Sequence, residues 1–138
     1  MKTKAIHNIK AAEALIDKAE EGYYTASIHH VYYAVFQYMK YELAHTDMEP
    51  LSDEEQTVKA KEHRMGSHDF IIKEIRRRIG RLANLDTAKD FARDVRELKG
   101  DRIDADYRSR QFTLEESLAC KRLAEELITK LKTYFGDL

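Results

Sequence analysis

Eight consecutive residues, Asp101-Arg102-Ile103-Asp104-Ala105-Asp106-Tyr107-Arg108, bring together three carboxylates, two guanidinium groups and a phenol. Side chains of these types suit an anionic ligand. A guanidinium grips a phosphate through two parallel hydrogen bonds, a phenol donates or accepts a proton, and a carboxylate orients either one. Arg102, Asp104, Asp106 and Tyr107 are therefore candidate ligand-binding residues, and Arg102, Asp106 and Tyr107 are the ones to carry any catalysis. A plainer reading stays open: Arg102 and Asp106 stand four apart and form an ordinary intrahelical ion pair, worth about 0.2–0.5 kcal/mol, while Tyr107 plugs the end of a bundle.

A second concentration of charge lies upstream. Residues 59–81 carry eight basic and three acidic side chains, whereas residues 1–58 carry five basic and ten acidic. On a helix, Lys73, Arg76, Arg77 and Arg81 share one face away from the isoleucines, a candidate contact for nucleic acid or another polyanion. A solvated arginine cluster is the alternative. Among the histidines, His29 and His30 are adjacent, so on a helix they point about 100° apart and cannot chelate one metal together. His30 is the histidine placed nearest the buried side, between Ile28, Val31 and Tyr33, and it joins the candidate ligand-binding residues. No His-x-x-x-His pair, no Cys-x-x-Cys and no glycine-rich phosphate loop occurs, so neither a metal nor a cofactor is expected. Cys120, flanked by Leu118 and Leu123, reads as a buried thiol, and Tyr23, Tyr24, Tyr32 and Tyr33 read as core.

The elements that must position these groups follow from composition and periodicity. The chain has 138 residues, 43% hydrophobic and 36% charged, with net charge −1, one Pro and five Gly. That is one domain with an adequate core and few helix breakers. It is no polycation, and one cysteine excludes an internal disulfide. The charged start does not resemble a signal peptide and no run approaches a membrane span; a cytoplasmic protein that does not engage a membrane is expected. Apolar spacing of three and four predicts a helix from Lys4 to about Glu21, closed by Gly22, then a central helix from Tyr23 to Ala44. An acidic surface loop, residues 47–61 with Pro50, mobile and with a partly helical form as the alternative, precedes a helix capped by Ser67 with His68, Ile71, Ile72, Ile75, Ile79 and Leu82 inward. Asn84 and Asp86-Thr87 restart the chain as a fourth helix, which Gly100 interrupts or ends. Thr113-Leu-Glu-Glu116 is a capping box opening the last helix, which Gly136 closes. The expected architecture is all-α, a single antiparallel up-and-down bundle of four to five helices with its core over residues 5–135. Helix two is apolar on more than one side, which favours a homodimer.

Taken in order, YTASIHHVYYAVFQYMKYEL, His68-Asp-Phe70 opening a helix, and Arg102 followed by Ala105-Asp106-Tyr107 before an acidic-capped last helix resemble the HEPN superfamily (higher eukaryotes and prokaryotes nucleotide-binding domain). The likeness covers residues 5–135 and is greatest to small stand-alone prokaryotic members with an Ala-Asp-Tyr element. It implies a helical bundle, often a homodimer, with a polar cleft and a role around nucleotides or RNA: toxin–antitoxin pairs, defence systems, or partnership with a nucleotidyltransferase. The ribonuclease members carry an Arg followed four to six residues later by His. Here Tyr107 stands where that histidine would follow Arg102. The resemblance therefore implies a non-catalytic module that binds a nucleotide, RNA or partner protein. The alternatives are a metal-independent endoribonuclease with an altered site, and an antitoxin-like or nucleotidyltransferase-partner interaction protein.

Overall fold

A computed structural model describes residues 1–137. They form six helices, α1 (Lys2–Asp17), α2 (Glu21–His45), α3 (Asp53–Glu62), α4 (Ser67–Leu82), α5 (Leu85–Tyr107) and α6 (Leu114–Phe135), with no strand among the described residues. The fold is all-α, with six helices rather than four or five. No helix among them is long and apolar enough to cross a membrane.

α2 is the axis of the molecule and packs against α1, α4, α5 and α6. Its 25 residues explain why. Ile28, Val31, Tyr32, Val35, Met39 and Leu43 are completely buried, and Phe36 and Tyr38 nearly so. The apolar breadth that favours a dimer in the sequence is thus consumed inside one chain. Burying side chains of this size stabilises by roughly 1.5–3 kcal/mol each.

The helix ends follow local chemistry. Asn84 Oδ1 accepts from Thr87 N at 2.8 Å to start α5. Thr113 and Glu116 bond each other's free amides at 3.1 Å to start α6, and Gly136, at φ 90°, follows its end. Gly22, expected to close α1, instead sits in the first turn of α2. The left-handed residue after α1 is Ala19, at φ 54°, although a side chain there costs about 1–2 kcal/mol. Gly66 rather than Ser67 caps α4, and Leu82 ends it 40% exposed instead of inward.

Two further expectations are corrected. The acidic connection is not a free loop. Ser52 and Glu55 form a second capping box, and three acidic residues in the first turn favour the N-terminus of α3. Gln56 donates to the carbonyls of Lys40 and Leu51 at 3.1 and 2.8 Å. Buried Arg78 donates to the carbonyls of Met48 and Glu49, both at 2.7 Å, and fastens the segment to α4. Nor does Gly100 interrupt α5. The helix runs through it, so residues 101–107 are its last two turns and not a junction.

One core position is electrostatically costly. Glu42 is wholly buried, and neither carboxylate oxygen has a hydrogen-bond partner among the described residues. Burial, partly offset by Lys2 and Lys132 and reinforced by Asp137, raises its pKa to about 7 from the ordinary 4.5. The folded state therefore binds the proton more tightly. Its stabilising contribution is complete below the unfolded pKa and is lost as pH rises through about 7. Glu42→Gln, neutral at every pH, should raise the melting temperature by several degrees at pH 8 and barely change it at pH 5. Equal shifts at both pH values in scanning calorimetry would contradict this.

Candidate functional site

α5 carries an apolar stripe of Phe91, Val95 and Leu98 into the core, and the next residue on that stripe is Arg102. A cation therefore occupies a core position, 8% exposed. Its guanidinium lies 5.2 Å from the Tyr32 ring centre, 5.4 Å from that of Tyr33 and 5.9 Å from that of Tyr107. Such faces attract a cation through the ring quadrupole. Its nearest carboxylate is Asp106, one turn on, with Nη1 to Oδ2 at 3.7 Å. That is an ion pair but too long for a hydrogen bond. The Nε atom is buried and has no partner among the described residues.

The same Asp106 oxygen lies 2.8 Å from His29 Nδ1 of α2. Asp106 keeps only 19% of its side chain exposed, and His29 keeps 44%. When Nδ1 donates to Asp106, the imidazole's second nitrogen, Nε2, is left as a proton acceptor. α2 aligns His29, Tyr32, Tyr33 and Phe36 along one stripe by spacings of three and four. The histidine that the chain lacks after Arg102 is thus met by one from another helix.

α4 closes the cluster with His68. Its ring stacks on Phe36 at 3.9 Å, and its Nδ1 lies 2.6 Å from the Tyr32 hydroxyl. Burial first, then the positive charges of Arg102 and Lys99, lower the His68 pKa to about 4. Burial pushes the Tyr32 hydroxyl well above its usual range, against the pull of Arg102. Both groups are uncharged at neutral pH, so neither adds a second charge beside Arg102. Lys99 is held aside by Asp69 at 3.0 Å.

The sequence candidates divide. Arg102, Asp106 and Tyr107 come together, Tyr107 being 73% exposed at the rim. Asp104 does not join them. With Asp101 and Glu116 it binds Arg110, at 3.1 Å from Asp104, and that guanidinium stacks on Phe112 at 4.1 Å. Nor does His30 join them: its Nδ1 bonds Asn8 of α1 at 2.8 Å, and burial and neighbouring His29 lower its pKa against the pull of Asp106. Lys73, Arg76, Arg77 and Arg81 lie outside the cluster, and Arg77 and Arg81 already pair with Glu49 at 3.6 and 3.3 Å. His29, Tyr32, Tyr33 and His68 are the members that sequence reasoning did not place in the site. The only local signal was the aromatic and histidine stripe of α2.

Metal-ligand spacing does occur once, at Glu42 and His45, but Glu42 is inside and His45 is exposed on the Tyr41 carbonyl. No group of three or more His, Cys, Asp or Glu among the described residues could hold a metal ion. Burial, with Asp101 alongside, raises the Cys120 thiol to about 12, so it carries no thiolate chemistry at neutral pH.

The electrostatic coupling is measurable. In an NMR titration, the His68 ring should show a midpoint far below 6.5, near 4. Arg102→Gln should move it upward without restoring the ordinary value, because burial persists. A wild-type midpoint near 6.5, or one indifferent to Arg102, would contradict the arrangement.

The chain matches the family model of the HEPN domain over residues 1–134. No curated protein and no solved structure matches it significantly. The family match spans nearly all six helices and takes in every residue of the Arg102 cluster, so the chain belongs to the HEPN family.

Proposed function

We propose that this HEPN domain binds the phosphate of a nucleotide or of an RNA strand at the junction of α2, α4 and α5, with Arg102 as the anchor. One observation carries the reading: a buried guanidinium whose Nε has no hydrogen-bond partner among the described residues and whose close carboxylate stands 3.7 Å away. A buried charge so incompletely partnered is costly, and an arriving phosphate would supply two acceptors in the matching geometry. His29 and Tyr107, the exposed members, would make the first contact. A setting in toxin–antitoxin or defence biology, a nucleotidyltransferase or toxin/antitoxin partner, and a homodimeric state are supported by family membership. They belong to the same reading. The test is calorimetry with a nucleotide panel and short RNAs on wild type, Arg102→Gln and Arg102→Lys. Affinity should fall at least about tenfold in Arg102→Gln and partly recover in Arg102→Lys; equal affinity in all three would remove Arg102 from the function.

A second reading, metal-independent endoribonuclease activity, is favoured by the 2.8 Å contact between His29 and Asp106. His29 Nε2 would take the proton of a 2′-hydroxyl, whose oxygen then bonds phosphorus as the bond to the 5′-oxygen breaks. Arg102 would neutralise the added charge, and the departing oxygen would take a proton from water. Phenols, with a reference pKa of about 10, make poor bases at neutral pH, which favours an imidazole in that role. Purified protein incubated with mixed RNA in EDTA should release 2′,3′-cyclic phosphate ends, at rates lowered about 100-fold or more by His29→Gln. Intact RNA after incubation with folded wild-type protein defeats this reading and leaves the binding role standing.

A further inference from the structure

A cavity of about 930 Å³ lies apart from the Arg102 cluster, between α3, α4 and the first turn of α5. We propose that it is the docking groove for an acidic amphipathic helix of a partner protein. Three features of the groove select that occupant.

The first is an apolar floor. Leu51, Met65, Phe70 and Leu85 line it, and Leu85 is 71% exposed although it opens α5 on this side. Gly80 helps to form the floor, because a Cβ there would meet the Leu85 side chain at 3.4 Å. An exposed leucine beside a concave apolar surface is a contact lacking its other half.

The second is a rim of charge that the chain does not satisfy. Six lysine and arginine side chains line the cavity against two glutamates, Glu49 and Glu74. Both glutamates are already taken: Glu74 by Arg77 and Arg78 at 2.6 and 2.9 Å, Glu49 by Arg81 and Arg77 at 3.3 and 3.6 Å. Lys59, Lys73 and Arg76 form no ion pair among the described residues. Electrostatic complementarity therefore calls for carboxylates along the edges of whatever fills the groove.

The third feature separates a peptide from a nucleic acid. Single-stranded RNA seeks exposed aromatic faces on which bases stack. Here Phe70 is only 5% exposed, and the one other ring in the lining, His63, lies against it at 5.9 Å. An aliphatic floor between cationic edges instead fits a helix bearing apolar residues at spacings of three and four, with acidic residues flanking them. α4, the long wall, lines the groove from Phe70 to Arg81. At 1.5 Å per residue that wall is about 18 Å long, room for a helix of about three turns. No groove residue used here belongs to the Arg102 cluster, so the inference stands independently of that site.

The experiment is display selection from a random library of 16-residue peptides on the full-length protein, with counter-selection on a Lys73→Glu, Arg76→Glu variant. Enriched peptides should be net acidic with apolar residues three and four apart. By fluorescence anisotropy, their affinity should fall at least tenfold in the charge-reversed protein and again in Leu85→Ser. Lys73→Gln with Arg76→Gln replaces the reversal if circular dichroism shows the latter unfolded. No enrichment, enrichment of peptides that are not acidic, or affinity indifferent to these substitutions would overturn the proposal. So would a 16-nucleotide single-stranded RNA whose binding depends on Lys73 and Arg76 while no peptide is enriched, which would assign the groove to RNA.

Discussion

A positive charge placed on the core-facing stripe of α5 constrains everything around it. Arg102 cannot leave the interior without breaking the stripe that begins at Phe91. It is held there by a carboxylate one turn away and by three tyrosine rings. Burial keeps the adjacent groups uncharged: His68 stays neutral, with the Arg102 charge reinforcing burial, and the Tyr32 hydroxyl keeps its proton against the pull of that charge. One guanidinium thereby ties α5 to α2, α4 joins through His68 on the Tyr32 hydroxyl, and the tie requires α5 to continue past Gly100. A helix ending at that glycine would leave Arg102 with no defined face and Asp106 with no defined distance from it.

Much of the bundle was legible because it depends on periodicity. Apolar spacings located five of the six helices, and short-range capping chemistry located three of their ends, at Asn84, Thr113 and Gly136. α3 escaped because only Gln56 and Ala60 are buried along its ten residues, too few to make a stripe. The α1 stop escaped because Ala19, a poor left-handed residue, adopts that conformation while the nearby glycine does not. In the site, the legible part was again local. Arg102 and Asp106 are one turn apart and share a face, whereas Asp104, two residues from each, is rotated about 200° and meets Arg110 instead. His29 lies 77 residues from Asp106, and His68 lies 36 residues from Tyr32. Those contacts depend on how the helices dock, which no spacing along the chain records.

α4 serves both of the molecule's unusual surfaces. Through His68 it completes the polar cluster against α2, and through Lys73 and Arg76 it supplies two of the three cations of the groove that form no ion pair among the described residues. A HEPN bundle arranged this way has room for an anionic ligand in one place and a protein in another. Occupancy of either need not block the other sterically.

The three consecutive arginines of α4 look interchangeable in the sequence and are not. Arg76 is half-buried on the groove wall with no ion pair among the described residues, Arg77 pairs with two glutamates, and Arg78 sits inside, with one nitrogen on Glu74 and the other two on separate backbone carbonyls. A lysine, with its donors on a single atom, cannot span three such acceptors. Among related chains, the first arginine is therefore free to drift as the company it keeps changes. The third is pinned by the molecule's own architecture, whereas the first answers to whatever docks beside it.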